Sequence, residues 1–396
     1  MKSHIVVAGA GIVGLATAVE LSSRGHRVTV IDKEPRIADH QTGNNSGVIH
    51  SGLYYQPGSL KATMSVNGAA SMTRFAQEHG VAHDICGKLV VATRENQLPA
   101  LRELQRRGDA NGVPCRLIDP AEAREYEPHV ASVAALRVET TGVVDYRGVC
   151  DALRAMVEAS GGEVILDSEI VGIDARADSV TVTTRRGEVR GDGFINCTGL
   201  HSDRVARLAG FDSDVRIIPF RGEYFEVRPE EADLVRGLIY PVPDPAFPFL
   251  GVHFTRMTDG SVHAGPNAIF ALAREGYSWT NVNVRDLLES AQWPGLWRLG
   301  RRFWRTGIDE VLRSLSRKRI LSSLRELVPE LSDQSLVPTH SGVRAQALRR
   351  DGSLVDDFYF ETAHRQVHVL NAPSPAATAA LEIAKRIADE IELQDL

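Results

Sequence analysis

Ser3-His4-Ile5-Val6-Val7-Ala8-Gly9-Ala10-Gly11-Ile12-Val13-Gly14 decides the fold. A β-branched run feeds glycines at the spacing Gly-x-Gly-x-x-Gly, and a helical pattern through Leu15, Val19 and Leu21 follows, which is the strand, turn and helix of a dinucleotide-binding unit. Gly9 permits the tight turn, Gly11 lets a pyrophosphate approach the backbone, and Gly14 lets the helix pack on the strand. Ile12 and Val13, in the first helical turn, carry N–H groups with no intrahelical acceptor, which suit phosphate. A second strand, Arg27 to Ile31, ends in Asp32 and Lys33. That acid lies about 20 residues past the motif, where a carboxylate can accept from the ribose hydroxyls of an adenosine half.

The next stretch separates flavin from nicotinamide. A nicotinamide enzyme would pass from Asp32 through a short connection to its next helix. This chain instead runs His40-Gln41-Thr42-Gly43-Asn44-Asn45-Ser46-Gly47-Val48-Ile49-His50-Ser51-Gly52-Leu53-Tyr54-Tyr55. Its small residues let the backbone lie against a planar ring system, and its amides and hydroxyls can satisfy the polar edge of that ring. Gln41, Thr42, Asn45, Ser46, Gly47 and Val48 are the expected contacts.

The 396 residues have room for two domains or one composite, and 43% apolar content supports a real core. No charged leader, signal-like run or stretch of about 18 apolar residues is visible, so a cytoplasmic chain without a membrane span is expected. Cys86, Cys115, Cys150 and Cys197 have no paired spacing, so no metal and no redox couple is expected. The net charge of −6 argues against nucleic acid as a partner. Charge is uneven, however: residues 293–325 hold nine basic groups against Asp309 and Glu310, together with Trp293, Trp297, Phe303 and Trp304. This basic helical segment reads as an interfacial helix drawn to anionic lipid, or otherwise as a subunit interface or solvated face.

Nucleotide-domain elements return downstream. A helical pattern at 147–160 ends at Gly161-Gly162; short β segments follow at Ile170 to Ile173 and Ser179 to Thr184, and Phe194 to Cys197 runs into the turn Thr198-Gly199. Ile170, Thr198, Gly199 and Gly342 join the expected cofactor contacts. The fold class is α/β with mixed α+β character: a discontinuous Rossmann-like domain at 1–85, 145–214 and 338–396, interleaved with a mainly antiparallel β substrate domain at 86–144 and 215–337. A helix capped by Ser374 and opened by Pro375, with Ala377, Leu381, Ala384 and Ala388 on its packing face, closes the chain.

Longer strings carry a resemblance over nearly the whole chain. They include His40-Gln41-Thr42-Gly43, Asn45-Ser46-Gly47-Val48-Ile49-His50, Pro219-Phe220-Arg221-Gly222-Glu223-Tyr224, Tyr240-Pro241-Val242-Pro243, Gly342-Val343-Arg344-Ala345-Gln346-Ala347 and Asn371-Ala372-Pro373-Ser374-Pro375-Ala376-Ala377-Thr378. The chain resembles the D-amino-acid-oxidase-like flavoproteins and, within them, the L-2-hydroxyglutarate oxidase/dehydrogenase family. Asn44 stands where that family has a histidine, and His201 where other residues are usual.

The resemblance implies FAD and the oxidation of a secondary alcohol beside a carboxylate, L-2-hydroxyglutarate to 2-oxoglutarate, with electrons passed to a membrane quinone or dioxygen. Alternatives are another 2-hydroxy acid, glycerol phosphate or an amino acid; a non-catalytic flavin-binding protein is a different class. Arg344 is implied as the clamp on the α-carboxylate, since its planar fork suits bidentate recognition. Arg221 is the candidate for the distal carboxylate, His50 and His253 compete as base, and Tyr55, Tyr224 and Tyr240 are candidate substrate contacts. Pro373, Ser374, Pro375, Ala376, Ala377 and Thr378 would bring a helix N-terminus to the pyrimidine edge of the flavin. Peripheral contact with the inner face of the cytoplasmic membrane is expected through residues 293–325.

Overall fold

The strand His4–Ala8 lies inside a six-stranded sheet, between Arg27–Ile31 and Gly193–Asn196, with both neighbours parallel to it. Parallel strands buried on both faces need near-continuous apolar sequence. Ile5, Val6, Val7 and Ala8 supply it and are fully buried. Glu163–Ile165 extends one edge, and Gln366–Asn371 with the antiparallel Tyr359–Ala363 extends the other. This computed structural model describes residues 3–243, 251–266, 269–303 and 316–394.

The helix Ile12–Ser23 packs on this sheet and against the last helix, Ala380–Glu392. Ile383, Ala384, Ile387, Ala388 and Ile391 of the latter bury into the same core as Leu15, Ala16 and Ala18. Removing one such isoleucine to alanine would cost about 2–5 kcal/mol.

The second large unit is a nine-stranded, mainly antiparallel sheet that includes Lys88–Ala92, Val215–Val227, Leu238–Pro241, His253–Arg256 and Leu336–Arg349. Val215–Val227 and Leu336–Arg349 pair along nearly their whole length. The expected boundary at 337/338 therefore falls inside a strand that belongs to this sheet. Mixed architecture with parallel and antiparallel sheets is the fold class expected.

Two helical expectations shift. The closing helix begins at Ala380, not near Ser374. Residues 374–379 wind into turns instead (Ala376 N–H to Pro373 O, 2.9 Å; Ala379 N–H to Pro375 O, 3.0 Å). The cause is tertiary: the Thr378 hydroxyl is engaged with Val48 O, the Tyr146 hydroxyl and the His50 N–H, all within 3.2 Å, which holds the segment out of helical register. Within the basic segment, residues 294–303 are helical and 304–315 lie outside the described residues. Arg317–Arg325 is a core helix whose Ile320, Leu321 and Leu324 bury beneath the nine-stranded sheet. Packing claims that end of the segment, so it is not an interfacial face. No helix of the described residues is long and apolar enough to cross a membrane.

Candidate active site

Between the two large sheets runs a cleft of about 920 Å³, at the upper end of the range for small-molecule and cofactor sites. Its floor is the glycine turn. Gly9 has φ +103°, and a Cβ there would come within 2.5 Å of Cys197 O; a Cβ on Gly14 would overlap Gly9 O. Gly11 borders the open space, with only the Thr42 hydroxyl near the position of an added Cβ, at 3.3 Å. The Ile12 N–H donates to Thr42 Oγ1 at 3.1 Å, so the flavin loop caps the helix start. The N–H groups of Val13 and Gly14 remain beyond intrahelical reach and face a glycine-lined gap. A dinucleotide pyrophosphate fits this cradle.

At one end Asp32 accepts from the Ala10 N–H at 2.6 Å and the Glu34 N–H at 2.9 Å. Burial nevertheless pushes its carboxyl upward. Lys33, Ser168, Ile170 and Arg185 border the same end. Beside it lies a closed ion network. Lys33 Nζ contacts Glu34 and Glu275 (2.6 Å to the latter), His201 Nε2 sits 2.7 Å from Glu275, and His40 bridges Glu34 (2.9 Å) and the Tyr277 hydroxyl (3.0 Å). Glu34, His40 and Glu275 could geometrically hold a metal ion, but the Lys33 ammonium lies among them. Burial alone would raise the Glu275 carboxyl; the His201 and Lys33 bonds reverse that and hold it well below the usual range. His201, one of the family departures, is thus part of this network. Asn44, the other, ties its own loop by donating to Asp39 O (2.9 Å) and His40 O (2.8 Å).

The other end is where Gln41, Thr42, Asn45, Ser46, Val48, His50, Gly342, Arg344, Ser374, Pro375, Ala376 and Ala377 converge on the cleft, with Thr198 and Gly199 closing its side. Gly342 is needed because an added Cβ would run into Asn44 O. Gly47, Pro373 and Thr378 do not border the cavity: Gly47 makes the turn (φ +66°), and Thr378 serves as an internal anchor. The helix N-terminus expected here is replaced by the turns at 374–379.

Around the pairing Phe220↔Arg344 and Gly222↔Gly342, Gly222 and Tyr224 of one strand and Gly342, Val343, Arg344 and Ala345 of the other border the cleft. Arg221 does not border it; the side chain is 1% exposed, lies 4.4 Å over the Trp279 ring and pairs with Glu223 at 3.3 Å. Tyr224 borders the cleft and stacks on His340 at 4.8 Å.

His50 follows the short strand Val48–Ile49 and borders the cavity, with Nε2 3.3 Å from the Ser374 hydroxyl. His253 stacks on Tyr240 at 3.8 Å. Its Nδ1 lies 2.9 Å from Gly251 O; a carbonyl can only accept, so Nδ1 carries the proton and Nε2 keeps a lone pair. Burial depresses both imidazoles to about 3, with Lys88 and Arg344 adding to the depression of each. Both are neutral at pH 7. Tyr55 is pushed up by burial, while Ser374 and Arg344 oppose the rise, so it stands beside the same two groups.

Sequence reasoning passed over Lys88, whose signal was a lone charge opening the apolar run Leu89-Val90-Val91-Ala92. It also missed Tyr146, which borders the cleft and donates to Val48 O at 3.0 Å. The four cysteines are free, and burial raises every thiol.

The chain is similar to known proteins along nearly its whole length. The family model DAO, described as FAD dependent oxidoreductase, matches residues 4–390. The L-2-hydroxyglutarate dehydrogenase of Indibacter alkaliphilus is 45% identical over 393 residues, covering 98% of each chain. The Escherichia coli K12 enzyme of that name is 41% identical, over 98% of this chain and 92% of the relative. The human mitochondrial one is also 41% identical, over 98% of this chain and 88% of the relative. Among solved structures, the FAD-bound L-α-glycerophosphate oxidase of Mycoplasma pneumoniae superposes with a TM-score of 0.80 at 22% identity, over 99% of this chain and 95% of that one. Glycine oxidase of Geobacillus kaustophilus gives 0.75 at 17%, over 100% and 95%.

Proposed function

This chain belongs to the FAD-dependent oxidoreductases of the DAO family, and from that premise we propose that it oxidises L-2-hydroxyglutarate to 2-oxoglutarate. The observation that supports this most is Arg344 bordering the cleft together with a neutral, partly buried His50. FAD, when bound, supplies the acceptor for the hydride that leaves the hydroxyl-bearing carbon. Gly9, Gly11, Val13 and Asp32 would hold its dinucleotide half, and the loop from Gln41 to Val48 its ring.

Arg344 takes the α-carboxylate in its planar fork and so fixes the carbinol carbon. His50 accepts the hydroxyl proton at Nε2. Burial, with Lys88 and Arg344 adding to it, makes the free-state imidazole a weak base, and the charge of an anionic substrate offsets the contribution of those two cations. Ser374, within 3.3 Å, steadies the ring. His253, with Nδ1–H committed to Gly251 O, orients the neighbouring wall. Tyr224 lines the substrate side, and Tyr55 stands behind it near Ser374 and Arg344.

The exposed surface supports a membrane quinone as the electron acceptor. In the helix Val284–Ala291, Asp286 and Ser290 are buried whereas Val284 (67%) and Leu288 (56%) are exposed, the inverse of a solvent-facing helix. Trp297 is 64% exposed nearby in sequence, among Arg298, Arg301 and Arg302. Such a face suits an anionic membrane and thus a membrane quinone. Anaerobic bleaching of the yellow protein by L-2-hydroxyglutarate, and not by its D enantiomer or amino acids, tests the substrate. Reduction of a quinone analogue in preference to peroxide release, and sedimentation with anionic vesicles at low salt, test the acceptor and the surface. No response to the L enantiomer overturns the reading.

A further inference from the structure

Lys88 opens the strand Lys88–Ala92 and is 1% exposed. Among the described residues its ammonium has no ion-pair or hydrogen-bond partner. Its neighbours are aromatic faces: Tyr54, 4.5 Å from ammonium to ring centre, and Tyr240, 4.9 Å. The hydroxyls of both tyrosines are themselves buried without a partner. Tyr240 stacks in turn on His253, and the Lys88 charge acts on both His253 and His50. A cation held by ring faces and two buried hydroxyls thus meet beside the imidazoles. Ring faces offset only part of the cost of burying an ammonium, and an unpaired buried charge is expensive.

Arg221, the arginine available on sequence grounds for a second carboxylate, is engaged by Glu223 and Trp279. Arg344 on the cleft and Lys88 behind it both bear on the two histidines.

Resting on the reading of the site as a 2-hydroxy-acid oxidoreductase, we propose that Lys88, with the Tyr54 and Tyr240 hydroxyls, is the subsite for the distal carboxylate and makes the enzyme selective for dicarboxylic over monocarboxylic 2-hydroxy acids. Burial holds the Lys88 ammonium down to about 7, so an arriving carboxylate tips it to the charged form.

The test compares L-2-hydroxyglutarate with L-2-hydroxyvalerate, which has the same carbon chain but a methyl in place of the distal carboxylate. Lys88→Met as holoenzyme should lose about 100-fold in kcat/KM for the diacid, mostly through KM, and change about 3-fold or less for the monoacid. Equal losses on both substrates would mark a merely structural lysine and overturn the proposal, as would an unchanged preference. Should Lys88→Met fail to accumulate with flavin bound, Lys88→Arg and Lys88→Gln carry the same comparison: preference kept by Arg and lost by Gln supports the subsite, and any other pattern overturns it. If the wild-type protein oxidises neither acid, the proposed function fails. The subsite is then judged by flavin absorbance changes on binding glutarate against valerate, which Lys88→Met should abolish for glutarate alone.

Discussion

The two ends of the cleft handle buried charge in opposite ways. At the adenosine end Lys33, Glu34, His40, His201 and Glu275 satisfy one another, cation against anion, in a closed network. At the ring end, among the described residues, Lys88 has no counter-ion and two tyrosine hydroxyls have no partner, and two imidazoles are held neutral in the company of cations. A saturated network is finished structure and stabilises a shape. An unsaturated one stores affinity for whatever completes it, here an anion. Pairing, more than burial, therefore separates scaffold from working surface in this molecule.

If that division is right, the ring end should dominate catalysis. His50→Gln removes the proton acceptor while leaving the wall in place, and the rate of flavin reduction by L-2-hydroxyglutarate should fall about 10²- to 10⁴-fold in stopped-flow measurements. A loss confined to KM would transfer the role of base to His253. Arg344→Ala takes away one partner of a desolvated carboxylate pair, worth about 2–5 kcal/mol. Substrate affinity should drop by two orders of magnitude or more with the flavin spectrum retained; unchanged affinity would remove Arg344 from the site.

The same asymmetry predicts a pH signature. His50 and His253 sit near 3 and His368 near 4, all depressed by burial from an unfolded value of 6.5. Below 6.5 the unfolded chain binds protons that the folded one refuses, so stability falls with pH from 6.5 toward those folded values. Each of the first two should cost roughly 1.5 kcal/mol between pH 6.5 and 5. Lys88 acts in the same sense higher up, between its unfolded 10.5 and its folded value of about 7. Thermal unfolding followed from pH 8 to 5 should show this decline, and His253→Phe, which keeps the stack on Tyr240, should flatten it. A decline of the same steepness in that variant would show that His253 is not held neutral.

Legibility from sequence divides along a similar line. The glycine turn, its flanking strands and Asp32 were readable because each is a local requirement: a positive φ, a close approach, a period of two or 3.6. Arg344 was readable from the string around it. Arg221 was not, since only the folded chain brings Glu223 and the Trp279 ring onto its side chain. The late start of the last helix was hidden for a related reason, as Thr378 is held by groups 232 and more residues distant. Lys88 carried a signal, one charge at the head of an apolar strand, but its meaning depends on Tyr54 and Tyr240 arriving from elsewhere in the chain.

The adenosine end supplies the smallest expected effect and the sharpest check on the division. Glu275 is 35% exposed, and Lys33 and His40 each keep Glu34 when it is neutralised. Glu275→Gln should therefore weaken FAD binding by no more than about 5-fold, in line with the 0–1 kcal/mol typical of partly exposed ion pairs. Catalytic constants of the flavin-loaded variant should not move. Equilibrium titration of the apoprotein with FAD measures the first and steady-state turnover the second. A loss of affinity beyond about 30-fold, roughly 2 kcal/mol, would mean that the closed network grips the cofactor itself, and pairing would no longer distinguish scaffold from working surface.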